Sequence, residues 1–177
     1  MPSSRPRLGA VHFRLAVHGL PSIKEVIDVM ELRQSVEVEA AGLAAVRASP
    51  ETRREVGEAL LAIDAAIERG ETAVDEDFAF HRAVAATTNN PQFLGFLDYL
   101  GRFIIPRQSI RVAIHQGEGQ RAYLETIQRE HRAIFAAIEA GDAAAARGAM
   151  RQHLSNSQAR YRRLAEEEAK GGNREGR

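Results

Sequence analysis

The chain of 177 residues contains no cysteine and no tryptophan. Without cysteine there is no disulfide framework and no thiolate metal site, so any transition metal must be held by histidine and carboxylate. Net charge is missing too: 24 basic residues balance 24 acidic ones. A chain of zero formal charge is a poor candidate for gripping nucleic acid with its whole surface. The N-terminal segment lacks the continuous apolar core of a signal peptide. No apolar run approaches the roughly 18 residues of a membrane span. These absences predict a soluble, cytoplasmic protein with no membrane partner. Alternating strand patterns and internal repeats are also missing.

What is present suits one helical domain. Hydrophobic residues make up 44% of the chain, enough for a real core. No acidic residue precedes Glu25, while Arg5, Arg7, Arg14 and Lys24 are basic. Residues 1–21 therefore read as a basic arm or linker remnant, 22–169 as the domain, and 170–177, rich in glycine and charge, as a disordered tail.

Punctuation predicts six helices. Ser22 and Glu25 have capping-box spacing and open a helix that runs to about Arg47, with an apolar stripe of Ile23, Val26, Met30, Val36, Ala40 and Leu43. Ser49-Pro50 opens a second helix, which Gly70 closes. A third runs from about Thr72 to Thr88. Asn89-Asn90-Pro91 is a turn leading into a fourth, which Pro106 kinks or ends. The segment Gln116-Gly117-Glu118-Gly119 reads as a loop. A fifth helix runs from about Gln120 to Ala140, and Asp142 caps a sixth that ends near Ala169. The expected fold is all-α: an antiparallel bundle with short connections.

Four polar residues stand on faces that should be apolar. On the third helix Asp77 and His81 are four apart and share a face with Val74 and Val84. On the fifth, His131 lies in the stripe of Leu124, Ile127, Ile134 and Ile138. On the sixth, His153 lies in that of Met150, Leu154, Ser157 and Tyr161. Such groups are costly to bury without partners. Two readings compete: hydrogen-bonded core histidines, or ligands converging on a shared ion. The second makes Asp77, His81, His131 and His153 a site for a divalent transition metal, zinc first, nickel or manganese next. His12, His18 and His115 lie in arm or loop segments and read as ordinary residues.

Arg33 is the other oddity, on the apolar stripe of the first helix and four residues before Glu37. It is either half of a buried ion pair or a planar clamp for a ligand carboxylate. As a clamp, its loss should weaken carboxylate binding and spare the metal. Arg102, Arg107 and Arg111 near the expected kink read as surface charges.

The segment Glu31-Leu32-Arg33-Gln34-Ser35-Val36-Glu37, followed by Ala40-Ala41-Gly42-Leu43-Ala44-Ala45, resembles the opening helix of the FCD domain. That is the C-terminal effector domain of FadR-subfamily GntR transcription regulators. Asp77-Phe78-Ala79-Phe80-His81 is similar to the family's Asp-x-x-Phe-His, Asn90-Pro91 to the Asn-Pro after it, and Glu130-His131 and His153 to its remaining histidines. The resemblance spans about residues 22–165. It implies six to seven helices around a metal-containing ligand cavity, with Asp77, His81, His131 and His153 on the ion and Arg33 lining the cavity. It implies a small carboxylate effector, a homodimer and no catalysis. Family regulators carry an N-terminal winged helix-turn-helix. Too few residues precede Ser22 for one, so DNA contact is expected only through a domain absent from this chain.

Two other functions compete with the sensor. A three-histidine, one-aspartate site with an open position could activate water, as in a small metal-dependent hydrolase or isomerase. Against this, His-Glu-x-x-His is missing and no separate general base stands out. A plain structural or dimerisation bundle without metal is the third.

Overall fold

A computed structural model describes residues 22–101 and 118–172. Six helices make up the described residues: α1 (Ile23–Arg47), α2 (Pro50–Glu68), α3 (Val74–Thr87), α4 (91–101), α5 (Glu118–Glu139) and α6 (Ala143–Gly172). No strand occurs among the described residues.

The caps act largely as their sequences dictate. Ser22 Oγ accepts from the Glu25 amide at 3.2 Å, and the Glu25 carboxylate accepts from the Ser22 amide at 2.7 Å. Ser49 and Thr52 exchange the same pair of bonds at the head of α2. Gly70 ends α2 and Gly141 follows α5, both at positive φ (74° and 70°), where glycine has no side-chain penalty. Asp142 Oδ1 accepts from the Ala145 amide at 2.8 Å and caps α6.

Several boundaries differ from expectation. α3 starts at Val74, not near Thr72, and has no side-chain cap: Ala73 precedes it in the left-handed region. Its first turn instead holds Asp75, Glu76 and Asp77, whose charge suits the positive end of the helix dipole. α5 begins at Glu118, so the loop reading fails at Glu118-Gly119. α6 continues through Lys170 to Gly172, past the Ala169 stop set by composition. The expected kink at Pro106, residues 1–21 and residues 173–177 lie outside the described residues.

α1 packs chiefly on α6, and α2 on α3 and α5. Short turns join α2 to α3 and α5 to α6, so these two packed pairs are antiparallel. Val26, Met30 and Ala40 of the predicted stripe of α1 are buried, but its C-terminal half turns inward on alanine. Ala41, Ala44 and Ala45 are buried, whereas Val36 and Leu43 are only half-buried. Small side chains let α1 approach α6. At Gly42 a Cβ would come within 2.4 Å of Cζ of Arg147, which lies across it.

Buried apolar side chains form three clusters; Val29 and Leu100 make one, and the other two flank a polar layer. The larger contains Val38 and Ala41 of α1, Phe80 and Val84 of α3, Ile134 of α5, and Met150 and Leu154 of α6. The smaller contains Val26, Met30 and Tyr161. Between them α1 presents Arg33 and Glu37, and α6 presents His153 and Ser157, all buried. Helical register thus forces a polar layer between two apolar ones, roughly one turn thick.

Candidate metal centre

The polar layer brings together the three histidines that the stripes single out. His81, His131 and His153 are 1%, 0% and 3% exposed, and one ring nitrogen of each lies within 4.8 Å of the others. The His131 and His153 ring centroids are 4.6 Å apart, and those of His81 and His153 are 5.1 Å apart. Phe80, one residue before His81, packs its ring against His131 at 4.8 Å and closes the layer from the large core.

Each imidazole is held from behind by a different acceptor. His81 Nδ1 faces Glu37 Oε2 at 2.5 Å, His153 Nδ1 faces Glu130 Oε2 at 2.8 Å, and His131 Nδ1 faces Gln128 Oε1 at 3.2 Å. A carboxylate at Nδ1 places the ring hydrogen there and leaves the Nε2 lone pair free. All three Nε2 atoms therefore point inward. The Nε2 atoms of His81 and His153 stand 3.2 Å apart. His131 Nε2 is buried without a hydrogen-bond partner. Asp77 Oδ1 lies 3.3 Å from that atom but is not aligned to bond with it.

This donor set can hold a cation. With a hydrogen on each Nδ1, two lone pairs face each other at 3.2 Å and repel unless a proton or a metal ion lies between them. Neighbouring donors around a tetrahedral ion, at bond lengths of about 2.0–2.1 Å, are about 3.3 Å apart. The His81–His153 and His131–Asp77 separations of 3.2 and 3.3 Å match that edge. The three histidines fit a divalent ion; Asp77 stands beside His131 Nε2 but outside the cluster whose donor atoms all lie within 4.8 Å of one another.

The electrostatics agree. Burial lowers the His131 pKa well below its ordinary value, and the neighbouring His153 adds to the effect. Burial also lowers that of His153, against the opposing pull of Glu130. These two rings are thus kept neutral and able to bind metal. Burial pushes the Glu37 carboxyl up, but Arg33 and His81 outweigh it and hold it at about 2. Glu130 is also held at about 2, its burial outweighed by hydrogen bonds from His153 and Arg160.

Arg33 sits in the same layer, 4% exposed, and its Nε donates to Glu37 Oε1. The buried ion pair is thus present, yet Arg33 Nη2 has no hydrogen-bond partner. One branch of the guanidinium is fixed and another is available. Sequence reasoning missed the three acceptors. Glu37 and Gln128 stand four and three residues from Arg33 and His131, a readable helical spacing. Glu130 reaches His153 across two helices, and no local spacing announces it. His12, His18, His115, Arg102, Arg107 and Arg111 lie outside the described residues.

The FCD domain model matches residues 28–156, a span that contains all five candidate residues. The chain belongs to the FCD domain family. It is 31% identical over 153 residues to the putative L-lactate dehydrogenase operon regulatory protein of Escherichia coli K12, covering 81% of this chain and 54% of that protein. It is 25% identical over 135 residues to the HTH-type transcriptional regulator LutR of Bacillus subtilis 168, covering 75% of this chain and 60% of that one. The chain thus spans little more than half the length of these regulators. Its fold resembles E. coli McbR/YncC, with a TM-score of 0.70 at 19% identity over 81% of this chain and 72% of that one. It also resembles a Streptococcus agalactiae GntR protein, with a TM-score of 0.63 at 22% identity over 75% of this chain and 57% of that one. The curated relatives are themselves transcription regulators by name.

Proposed function

We propose that this chain is the ligand-sensing part of a GntR-type transcription regulator, holding a divalent ion and a small carboxylate in its polar layer. His81, His131 and His153, through Nε2, and Asp77 are the metal ligands, with zinc preferred and nickel or manganese as alternatives. The observation that carries this reading is the set of three inward Nε2 atoms, each ring tied back at Nδ1. When bound, the ion supplies a Lewis-acid anchor for an effector carboxylate. Arg33 Nη2 donates to that carboxylate and fixes its orientation.

Charge narrows the ligand. Among the described residues Arg33 offsets Glu37 and Arg160 offsets Glu130, which leaves Asp77. A divalent ion beside one aspartate carries one net positive charge, so a monocarboxylate neutralises the site. An effector held by groups from α1, α3, α5 and α6 biases how these helices pack, and so shifts a conformational equilibrium. The working regulator is a cytoplasmic homodimer, and DNA contact falls to a separate winged helix-turn-helix domain.

Calorimetric titration of the zinc-loaded protein with L-lactate, other 2-hydroxy monocarboxylates and dicarboxylates tests this. Binding that prefers monocarboxylates and disappears on zinc removal supports the reading. Equal binding by zinc-free protein, or no binding across the panel, contradicts it. Hydrolysis or isomerisation of a bound acid would favour the metalloenzyme instead.

A further inference from the structure

We infer that Glu37 is a positioning residue that makes Arg33, Glu37 and His81 a single unit, so that the carboxylate-binding arginine also sets metal affinity. The inference rests on the metal-and-carboxylate reading above. Its basis is how one carboxylate is shared. Glu37 is 1% exposed and divides its two oxygens, Oε1 accepting from Arg33 Nε and Oε2 from His81 Nδ1. The other face of the same imidazole is Nε2, in the histidine trio. The free donor of Arg33 is therefore linked to the centre through Nε, Glu37 and the His81 ring.

The acceptor behind a ligating histidine fixes ring orientation and raises donor strength. Glu37 can do this only while it stays in place, and Arg33 Nε holds its other oxygen. Without Arg33 the buried carboxylate loses its partner at Oε1 and can swing away from His81. His81 then loses its hold on the side away from the centre. This reverses the expectation that loss of Arg33 spares the metal.

The other two acceptors are differently buttressed. Glu130 also accepts from Asn156 at 2.7 Å and from Arg160 at 3.3 Å, nearer solvent, so no single neighbour holds it. Gln128 carries no charge and is pinned by the Leu60 carbonyl at 2.8 Å and Asp64 at 3.0 Å. Glu37 alone depends on one cation in a fully buried setting.

The test is zinc affinity by chelator competition, with the visible spectrum of the cobalt-substituted protein as a second readout. Glu37→Gln should raise the zinc Kd about 10–100-fold and shift the cobalt bands, with helicity unchanged. Arg33→Ala should lose a similar factor. The double variant should fall within about twofold of the worse single one, because both changes break the same link. Arg33→Lys retains a cation for Glu37 and should keep zinc affinity near wild type while weakening carboxylate binding. Should Arg33→Ala or Glu37→Gln not fold, Glu37→Asp and Arg33→Lys carry the test: the shortened carboxylate must weaken zinc binding and the lysine must not. Wild-type zinc affinity in Arg33→Ala or Glu37→Asp, or losses that multiply in the double variant, would overturn the inference. No zinc binding by the wild type would overturn the metal reading itself.

Discussion

Acid should weaken the metal-stripped protein much earlier than ordinary carboxylates would. His131 and His153 are buried with lowered pKa values, so the unfolded chain takes up protons that the folded chain resists. For a histidine lowered in the fold, stability is complete above the unfolded pKa and is lost as pH falls through about 6.5. Each such ring lowers stability by about 1.4 kcal/mol per pH unit, so the pair gives up to ~2.7 kcal/mol per unit. Below pH 4.5, Glu37 and Glu130, both held at about 2, begin to contribute. The fully buried Glu37 can remove up to ~3 kcal/mol between 4.5 and about 2, and the half-buried Glu130 less, because solvent screens it. A typical domain has only about 5–15 kcal/mol to lose, so cooperative unfolding is expected between about pH 5 and 3. Urea unfolding followed by circular dichroism in EDTA, from pH 8 to 5, measures the slope. His131→Gln, which cannot titrate, should remove about half of it. Stability that stays flat from pH 7 to 5 in the stripped wild type would refute the reasoning.

His153→Ala should lower zinc affinity by orders of magnitude, because it removes a donor rather than a support; chelator competition would read this. Phe80→Ala should cost about 3–5 kcal/mol in urea unfolding, since this fully buried ring closes the large core against His131. Gly70→Ala should cost about 1 kcal/mol, because the residue sits at φ 74° with open space around it, so the penalty is conformational only.

The fold was legible wherever a helix is bounded by chemistry. Ser22-x-x-Glu25, Ser49-Pro50 and Asp142 each mark a start that the structure keeps. It was less legible where burial depends on small residues. Periodicity favoured Val36 and Leu43, yet the α1–α6 contact selects alanines, because close approach outweighs side-chain hydrophobicity there. The start of α3 was missed because no side chain caps it. His81, His131 and His153 could be read as a site because polar groups interrupt apolar stripes on three helices. Their supports could not be read in full. Gln128 is visible as a helical neighbour of His131, whereas Glu130 reaches His153 only through the packing of α5 on α6. Arg33 was read as either half of a buried pair or a clamp, and the fold contains the pair with Glu37. Only the fold reveals that its partner, Glu37, also holds His81.

The most direct test is the metal content of the untagged, purified protein by mass spectrometry, beside His81→Ala/His153→Ala. The account predicts about one divalent ion per chain, absent from the double variant. No ion in the wild type, even after exposure to zinc, nickel and manganese, would contradict it and leave the three histidines as core residues.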